Sequence, residues 1–335
     1  MLTVSVLGLG LIGGSLLRAL AAAGHQVRGF DIDPDTRAAA RGDAPTTSAA
    51  RGGDPEVTRG RWRIVDTIPD AITDTDLVVL AVPLPAIGAL IDHLAAERYP
   101  GIVTDVTSTK GPVRALFAER FPTARYVGGH PMAGKETSGF AASDPELFSG
   151  CSWVLTLDGA DSAALRDWLT VAELVVGLGA RVVPVTTSDH DAVVARISHL
   201  PHLTAAAIAA TAGTKLAATL AAGSYRDSTR VAASAPPLVA AMCGGNAAAL
   251  AAALDHLIDE LTEARRRLAQ PDPITAITTW LEAGHRARIG WPPRAGSSEE
   301  IAVSTEALLG LGRDGGWITA VAADRRTVTA VRPLQ

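Results

Sequence analysis

Short apolar runs rich in β-branched residues alternate with helical stretches through the first half of the 335-residue chain. Residues 2–7 (LTVSVL), 27–31 (VRGFD), 76–82 (DLVVLAV) and 102–106 (IVTDV) are continuous runs rather than apolar–polar alternations. Strands of a parallel sheet covered on both faces show that pattern. Residues 11–23, 34–41, 85–97 and 111–120 lie between them with helical character. Strands alternating with helices predict an α/β fold, a Rossmann-type doubly wound sheet. Residues 126–129, 152–157 and 181–185 predict further strands extending that sheet. The polar stretch 42–61, rich in Gly and Pro, predicts a loop insertion without chemistry.

After about residue 189 the pattern changes. Ala- and Leu-rich stretches at 202–222, 247–268 and 275–288 predict an all-helical second domain. Several are apolar nearly all round, which marks a buried helix rather than one with a solvated face. Such surfaces are most easily buried against a second copy, so the helical part is expected to be a dimerisation domain in a homodimer. The chain then divides into a Rossmann-type domain at 1–188, the helical substrate and dimerisation domain at 189–290, and a tail at 291–335. Within the tail, 297–309 predicts a helix, and 317–322 with 327–331 a β-hairpin turning at Asp324-Arg325.

Composition narrows the function classes. A hydrophobic fraction of 47% with 19% charged residues describes a globular chain able to bury a full core, and excludes disorder for most of it. With 30 basic and 35 acidic side chains the net charge is −5, which argues against a nucleic-acid partner. Two cysteines, Cys151 and Cys243, exclude a disulfide-built fold and fit a reducing compartment. Residues 1–23 are largely apolar, but the first basic residue is Arg18, after the apolar run, and glycines at 8, 10, 13 and 14 interrupt it. Neither a signal peptide nor a membrane segment is expected, and the expected location is the cytoplasm.

Gly8-Leu9-Gly10-Leu11-Ile12-Gly13 is a G-x-G-x-x-G that follows the first predicted strand and opens the first predicted helix. In that context Gly8 permits the tight turn, Gly10 lets a pyrophosphate approach the backbone, and Gly13 allows close helix–strand packing. Amides at the helix N-terminus then bind the phosphates. Asp31 ends the second strand eighteen residues beyond Gly13, where an acid accepts hydrogen bonds from the adenine ribose. Asp33 and Asp35 follow at once and repel a 2′-phosphate, with Arg37 as a partial offset, so NAD is favoured over NADP. Residues 1–188 therefore form the expected NAD-binding domain.

Three further segments stand where loops leave the sheet: DVTSTKG at 105–111, GGHPMAGKETSG at 128–139, and DHD at 189–191 followed by SHLPH at 198–202. With GLGLIGGS at 8–15, they resemble the prephenate/arogenate dehydrogenase family over roughly residues 1–290, in the family's order. GGHPMAG is the most specific of the motifs. The resemblance implies NAD-dependent oxidative decarboxylation of a small cyclohexadienol, prephenate or arogenate, on the route to tyrosine. That chemistry needs a base on the hydroxyl, a cation on a carboxylate and a dry pocket. By the resemblance, His130 is the catalytic histidine, its ordinary pKa near 6.5 leaving a neutral imidazole at physiological pH. Ser108 orients it, Arg230 holds a substrate carboxylate through its bidentate fork, and His202 and Glu136 lie on the substrate side. Cofactor contacts are expected from Gly8, Leu9, Gly10, Leu11, Ile12, Gly13, Asp31, Val82 and Ser108.

Plainer readings stand beside these. Ser108 also fits a helix cap before Gly111, Arg226 competes with Arg230 for the carboxylate, and Lys110 fits either a cofactor contact or a loop surface. His190, between two aspartates at a helix start, reads as a cap-region residue, and His199 equally as a buried structural histidine. His199 and His202 lack a third ligand at sensible spacing, so no metal site is expected. The chain departs from the family pattern after Arg230: residues 233–239 read ASAPPLV, with no acid and no aromatic, which bears on substrate choice more than on reaction type. The 45 residues after 290 are too few for a full regulatory domain of the kind some members carry, so feedback by tyrosine through one is not expected.

Overall fold

The structure, a computed structural model, describes residues 1–44, 62–159 and 161–334. It forms two compact units, Met1–His190 with Ser298–Val331, and Asp191–Ser297 with Arg332–Gln335.

The first unit opens with β1 (Thr3–Leu7), α1 (Leu11–Ala22), β2 (Gln26–Phe30), α2 (Pro34–Gly42), β3 (Trp62–Ile64), α3 (Ile68–Ile72) and β4 (Leu77–Leu80). It continues with α4 (Leu84–Ala96), β5 (Ile102–Asp105), α5 (Gly111–Arg120) and β6 (Arg125–Val127). The strands run parallel in the order β3-β2-β1-β4-β5-β6, the doubly wound order whose direction of growth reverses between β1 and β4. The continuous apolar runs are explained by parity. In β4, Leu77 and Val79 enter one core cluster with α1, while Val78 and Leu80 enter the other with α4 and α5. β3 and α3 add to the elements expected from the pattern. β3 is three residues with Arg63 at its centre, and α3 is a single capped turn, Thr67 accepting the Asp70 amide. Of the expected loop at 42–61, residues 45–61 lie outside the described residues, and Gly42 closes α2.

Residues 126–129 do extend this sheet through β6, but 152–157 and 181–185 do not. They belong to a second six-stranded sheet, in which β7 (Gly129–Pro131), β8 (Ser152–Thr156), β9 (Arg181–Val185), β10 (Ala295–Ala302), β11 (Trp317–Val321) and β12 (Thr327–Pro333) lie in the order β10-β12-β11-β9-β8-β7. β8 and β9 are parallel, joined by the crossover helix α6 (Ser162–Gly177), and the other described pairs are antiparallel. The expected hairpin is therefore present, and it packs into this sheet through the pair Ile318 and Val182. The expected helix at 297–309 is corrected. Its first residues pair at the sheet edge as β10, and helix begins only at Thr305, where the Ser304 hydroxyl caps the Ala307 amide. Helix-compatible residues such as Glu299 and Glu300 yield there to a ladder of tertiary hydrogen bonds.

The helical segment starts with α7 (Thr187–Val194), passes through a π turn at Ala195–His199 and continues as α8 (Leu200–Thr211). Pro201 explains the widening: it has no N–H, and its ring would strike the carbonyl of Ile197 in a regular helix. By length and composition, Thr187–Thr211 suffices to cross a membrane. Its π turn and buried His199, hydrogen-bonded to Asn246, instead tie it into the second unit. There follow α9 (Lys215–Leu220), α10 (Gly223–Thr229), α11 (Pro236–Gly245), α12 (Ala247–Leu268) and α13 (Pro273–Ile289), and α14 (Thr305–Arg313) follows β10. The expected helix at 202–222 is thus broken where Gly213 precedes Thr214, whose hydroxyl starts α9 by accepting the Ala217 amide.

The second unit has a small core, Ala195, Leu250 and Ala253. Helices α9, α10, α11 and α13 bury none of their residues in the single chain, and Leu216, Leu238, Ile274 and Leu281 are exposed. An apolar helix left uncovered by its own chain is what an interface between chains looks like before assembly.

Candidate active site

The nucleotide loop lies where β1 and β4 part, the topological switch point of the sheet. Gly8 has φ +99°, and a Cβ there would stand 2.4 Å from the Ala81 carbonyl oxygen at the end of β4. Gly13 is pressed so closely that its Cβ would lie 1.9 Å from the Gly8 carbonyl oxygen. Gly10 is the opposite case, since a Cβ on it would meet nothing within 4 Å. Gly10 is also the N-cap of α1, with no side chain capping the helix and no acid in its first turn. α1 therefore starts with its positive end beside the open space at Gly10, which fits a pyrophosphate. Leu9 and Val82 frame the loop, Leu9 with its side chain fully buried and Val82 with its Cγ1 2.8 Å from the place of a Gly8 Cβ.

Asp31 follows β2, and its carboxylate reaches back to this loop. Oδ2 accepts the Leu9 amide at 2.7 Å and Oδ1 accepts the Asp33 amide at 2.9 Å. Arg37 donates to the carbonyls of Asp31 and Ile32, and pairs with Asp66 at 3.3 Å, so its guanidinium is engaged beside the loop. Asp33 caps α2 through the Asp35 and Thr36 amides, and the Thr36 hydroxyl holds its carboxyl below the usual range. An ionised Asp33 keeps the negative field that disfavours a 2′-phosphate.

Ser108 lies between β5 and α5, half-buried. It does not cap α5. The cap position is Lys110, without a side-chain cap bond, so the capping role expected as an alternative does not hold. Lys110 instead turns inward. It is 1% exposed, pairs with the fully buried Asp105, and donates to the Thr107 hydroxyl at 3.0 Å and the Gly129 carbonyl at 2.7 Å. Asp105 also accepts from the Thr107 amide at 2.8 Å and the Tyr126 hydroxyl at 2.6 Å. The loop-surface reading of Lys110 does not hold: its ammonium lies in a buried network that clasps the strand entering His130.

His130 sits on β7, paired with Val154 of β8. Gly128 and Gly129 carry the chain from the first sheet to the second. A Cβ on Gly129 would stand 2.6 Å from the Asp105 carbonyl oxygen, so glycine lets the histidine strand press against the end of β5. His130 is half-buried, and its Nδ1 lies 2.9 Å from Nε2 of His190, which is 2% exposed. His190 is on α7, and this contact was not part of the sequence expectation for it. Glu136 is exposed, on the loop between β7 and the short 3-10 turn at Phe140–Ala142. Along the carboxyl edge of the first unit, the glycine loop after β1, Val82 after β4, Ser108 after β5 and His130 after β6 thus follow in sheet order.

In the second unit, Arg230 begins a 3-10 turn, Arg230–Ala233, that packs on α8, the helix bearing His202. The two substrate-side candidates there stand on touching elements. Arg226 is exposed and paired with Asp227 at 3.3 Å. His199 is fully buried, and its Nδ1 lies 3.2 Å from the Asn246 amide nitrogen, which also donates to the Asp191 carbonyl. That favours the structural reading of His199.

Known proteins share this fold. The family model of the prephenate dehydrogenase nucleotide-binding domain matches residues 54–184, and that of the prephenate dehydrogenase dimerization domain matches 186–280. The glycine turn precedes the first matched span. Cyclohexadienyl dehydrogenase of Zymomonas mobilis is 34% identical over 278 residues, 80% of this chain and 89% of its own length. The crystal structure of a candidate prephenate dehydrogenase from Corynebacterium glutamicum superposes with a TM-score of 0.77 at 39% identity, covering 87% of each chain. Prephenate dehydrogenase from A. aeolicus, solved in complex with hydroxyphenyl propionate and NAD+, gives a TM-score of 0.69 at 25% identity, over 86% of this chain and 98% of that one. Fold, motifs and matched extent together place the chain in the prephenate/arogenate dehydrogenase family.

Proposed function

We propose that this dehydrogenase uses NAD to convert prephenate to 4-hydroxyphenylpyruvate by oxidative decarboxylation. The observation that carries the reading is the order of groups at the carboxyl ends of the first sheet's strands, from the open space at Gly10 to the imidazole of His130 on the strand that follows β6. When bound, NAD supplies the hydride acceptor. The chain's residues do the rest. His130 accepts the proton of the ring hydroxyl at Nε2, its Nδ1 being engaged with His190. Ser108, on the loop tied to His130 through Lys110 and Asp105, orients that hydroxyl. Arg230 holds a substrate carboxylate, with His202 on the helix against which its turn packs and Glu136 toward the substrate side chain. Loss of the ring carboxylate as carbon dioxide leaves an aromatic ring, which makes the step strongly downhill. The helical unit joins two copies into a homodimer, and the enzyme works in the cytoplasm.

A second reading keeps the chemistry and changes the substrate to arogenate, or accepts both. The likeness to a cyclohexadienyl dehydrogenase and the altered segment at 233–239 favour it. Reduced-nicotinamide absorbance, followed with NAD and each substrate in parallel, separates the two. Turnover with prephenate alone supports the first reading, turnover with arogenate alone or both supports the second, and none with either overturns the proposed reaction.

A further inference from the structure

We propose that His190 is the positioning partner of His130, accepting its Nδ1–H and thereby fixing the tautomer in which Nε2 carries the basic lone pair. The inference rests on the reading of His130 as the base. The ring planes are 75° apart, with centroids 5.2 Å from one another. That separation is close to the 2.9 Å nitrogen–nitrogen contact plus the two ring radii, so the nitrogens meet head-on, each in its own ring plane. This is the geometry of a hydrogen bond and not of stacking.

One proton must lie between two such nitrogens, and its owner decides the chemistry. A neutral imidazole has a single N–H. If His130 donates, its Nε2 is left as the acceptor that a base requires. If His190 donates, the proton of His130 moves to Nε2 and the ring cannot take another there. His190 is held in place independently of this contact. Its ring is 2% exposed, its backbone amide bonds the Thr186 carbonyl at 3.0 Å, and α7 is anchored at Thr187 by the Asp158 carboxylate. A partner fixed by its own helix selects the orientation of the half-buried ring it meets. Carboxylates commonly fill this position beside a histidine. A neutral imidazole does so without burying a net charge, which a site enclosed at 2% exposure would penalise. After proton transfer, the hydroxyl proton is on His130 Nε2, and Nδ1–H still points at the His190 lone pair.

The test compares His130→Ala, His190→Leu and His190→Gln in the full-length enzyme. His190→Leu removes the acceptor. It is expected to lower kcat by about 10- to 100-fold while leaving the KM for NAD within about twofold, the pattern of a lost orienting contact. His190→Gln keeps a carbonyl oxygen near the place of Nε2 and is expected to restore most of that loss. Ring nitrogen-15 spectra of the wild-type enzyme, at a pH well above the histidine range and assigned by difference against His130→Gln, are expected to show a protonated Nδ1 and an unprotonated Nε2 at His130. Should His190→Leu fold poorly, this spectrum decides the matter alone. The opposite tautomer, or wild-type kcat in His190→Leu beside an inactive His130→Ala, overturns the role of His190 only. Wild-type turnover in His130→Ala overturns the base reading beneath it.

Discussion

Removing the charge of Lys110 should be among the costliest single changes in the first unit. Lys110 and Asp105 are 1% and 0% exposed, so Lys110→Met leaves a carboxylate with no counter-ion and no water. Breaking a buried pair from one side costs about 3–5 kcal/mol. Asp105 keeps the Thr107 amide and the Tyr126 hydroxyl, which argues for the lower end. The orphaned Gly129 carbonyl adds about 1 kcal/mol back. The expected loss is therefore about 4 kcal/mol, much of the roughly 5–15 kcal/mol that holds a typical domain together. Asp105→Asn combined with Lys110→Met removes both charges, and should be less destabilising than the sum of the two single changes by about 2 kcal/mol. Denaturant unfolding followed by tryptophan fluorescence, in a background with Trp280 and Trp291 of the second unit replaced by Phe, reads the first unit through the buried Trp153 and Trp168. Because Lys110 also holds the strand of His130, turnover should fall in conditions where the variant remains folded. A Lys110→Met protein within about 0.5 kcal/mol of its parent, with additive behaviour in the cycle, would mean that the buried pair contributes little.

The glycine loop separates two kinds of constraint. Gly10→Ala should leave stability unchanged and weaken NAD by at least about tenfold, because its Cβ enters open space a phosphate would fill. Gly13→Ala should instead cost about 1–3 kcal/mol or more in unfolding experiments, since the new methyl lies 1.9 Å from a backbone oxygen. Asp31→Ala should weaken NAD and narrow its advantage over NADP in binding titrations, and an unchanged ratio would mean the ribose contact lies elsewhere. Sedimentation at micromolar concentration should give a dimer, and Leu238→Glu with Leu281→Glu should shift it toward monomer; a monomeric parent would contradict the homodimer.

What the residues alone disclosed depended on the range of the interaction. Strands β1, β2, β4 and β5 were legible because burial on both faces demands continuous apolar runs, and the glycine turn because its neighbours were a strand and a helix. The membership of 152–157 and 181–185 in a second sheet was not, since a run of apolar residues does not say which sheet it joins. β10 misled for a related reason: residues 295–302 are polar enough for a surface helix, and only the partner strand β12 makes them extended. At the site, His130 and Ser108 stood out through their motifs. His190 did not, because a histidine between two aspartates at a helix start reads as capping, and its partner lies 60 positions away. Lys110 was ambiguous for want of a visible Asp105 contact, although the five-residue spacing across a strand end could have suggested one.

The role of His130 is tested most directly by His130→Ala, measured for turnover of prephenate with NAD and separately for NAD binding. A fall in kcat of about 10²–10⁴-fold is expected, with NAD affinity nearly unchanged, because the imidazole moves a proton and the glycine loop holds the dinucleotide. Undiminished turnover in that variant would contradict the assignment of His130 as the base, and with it the proposed reaction.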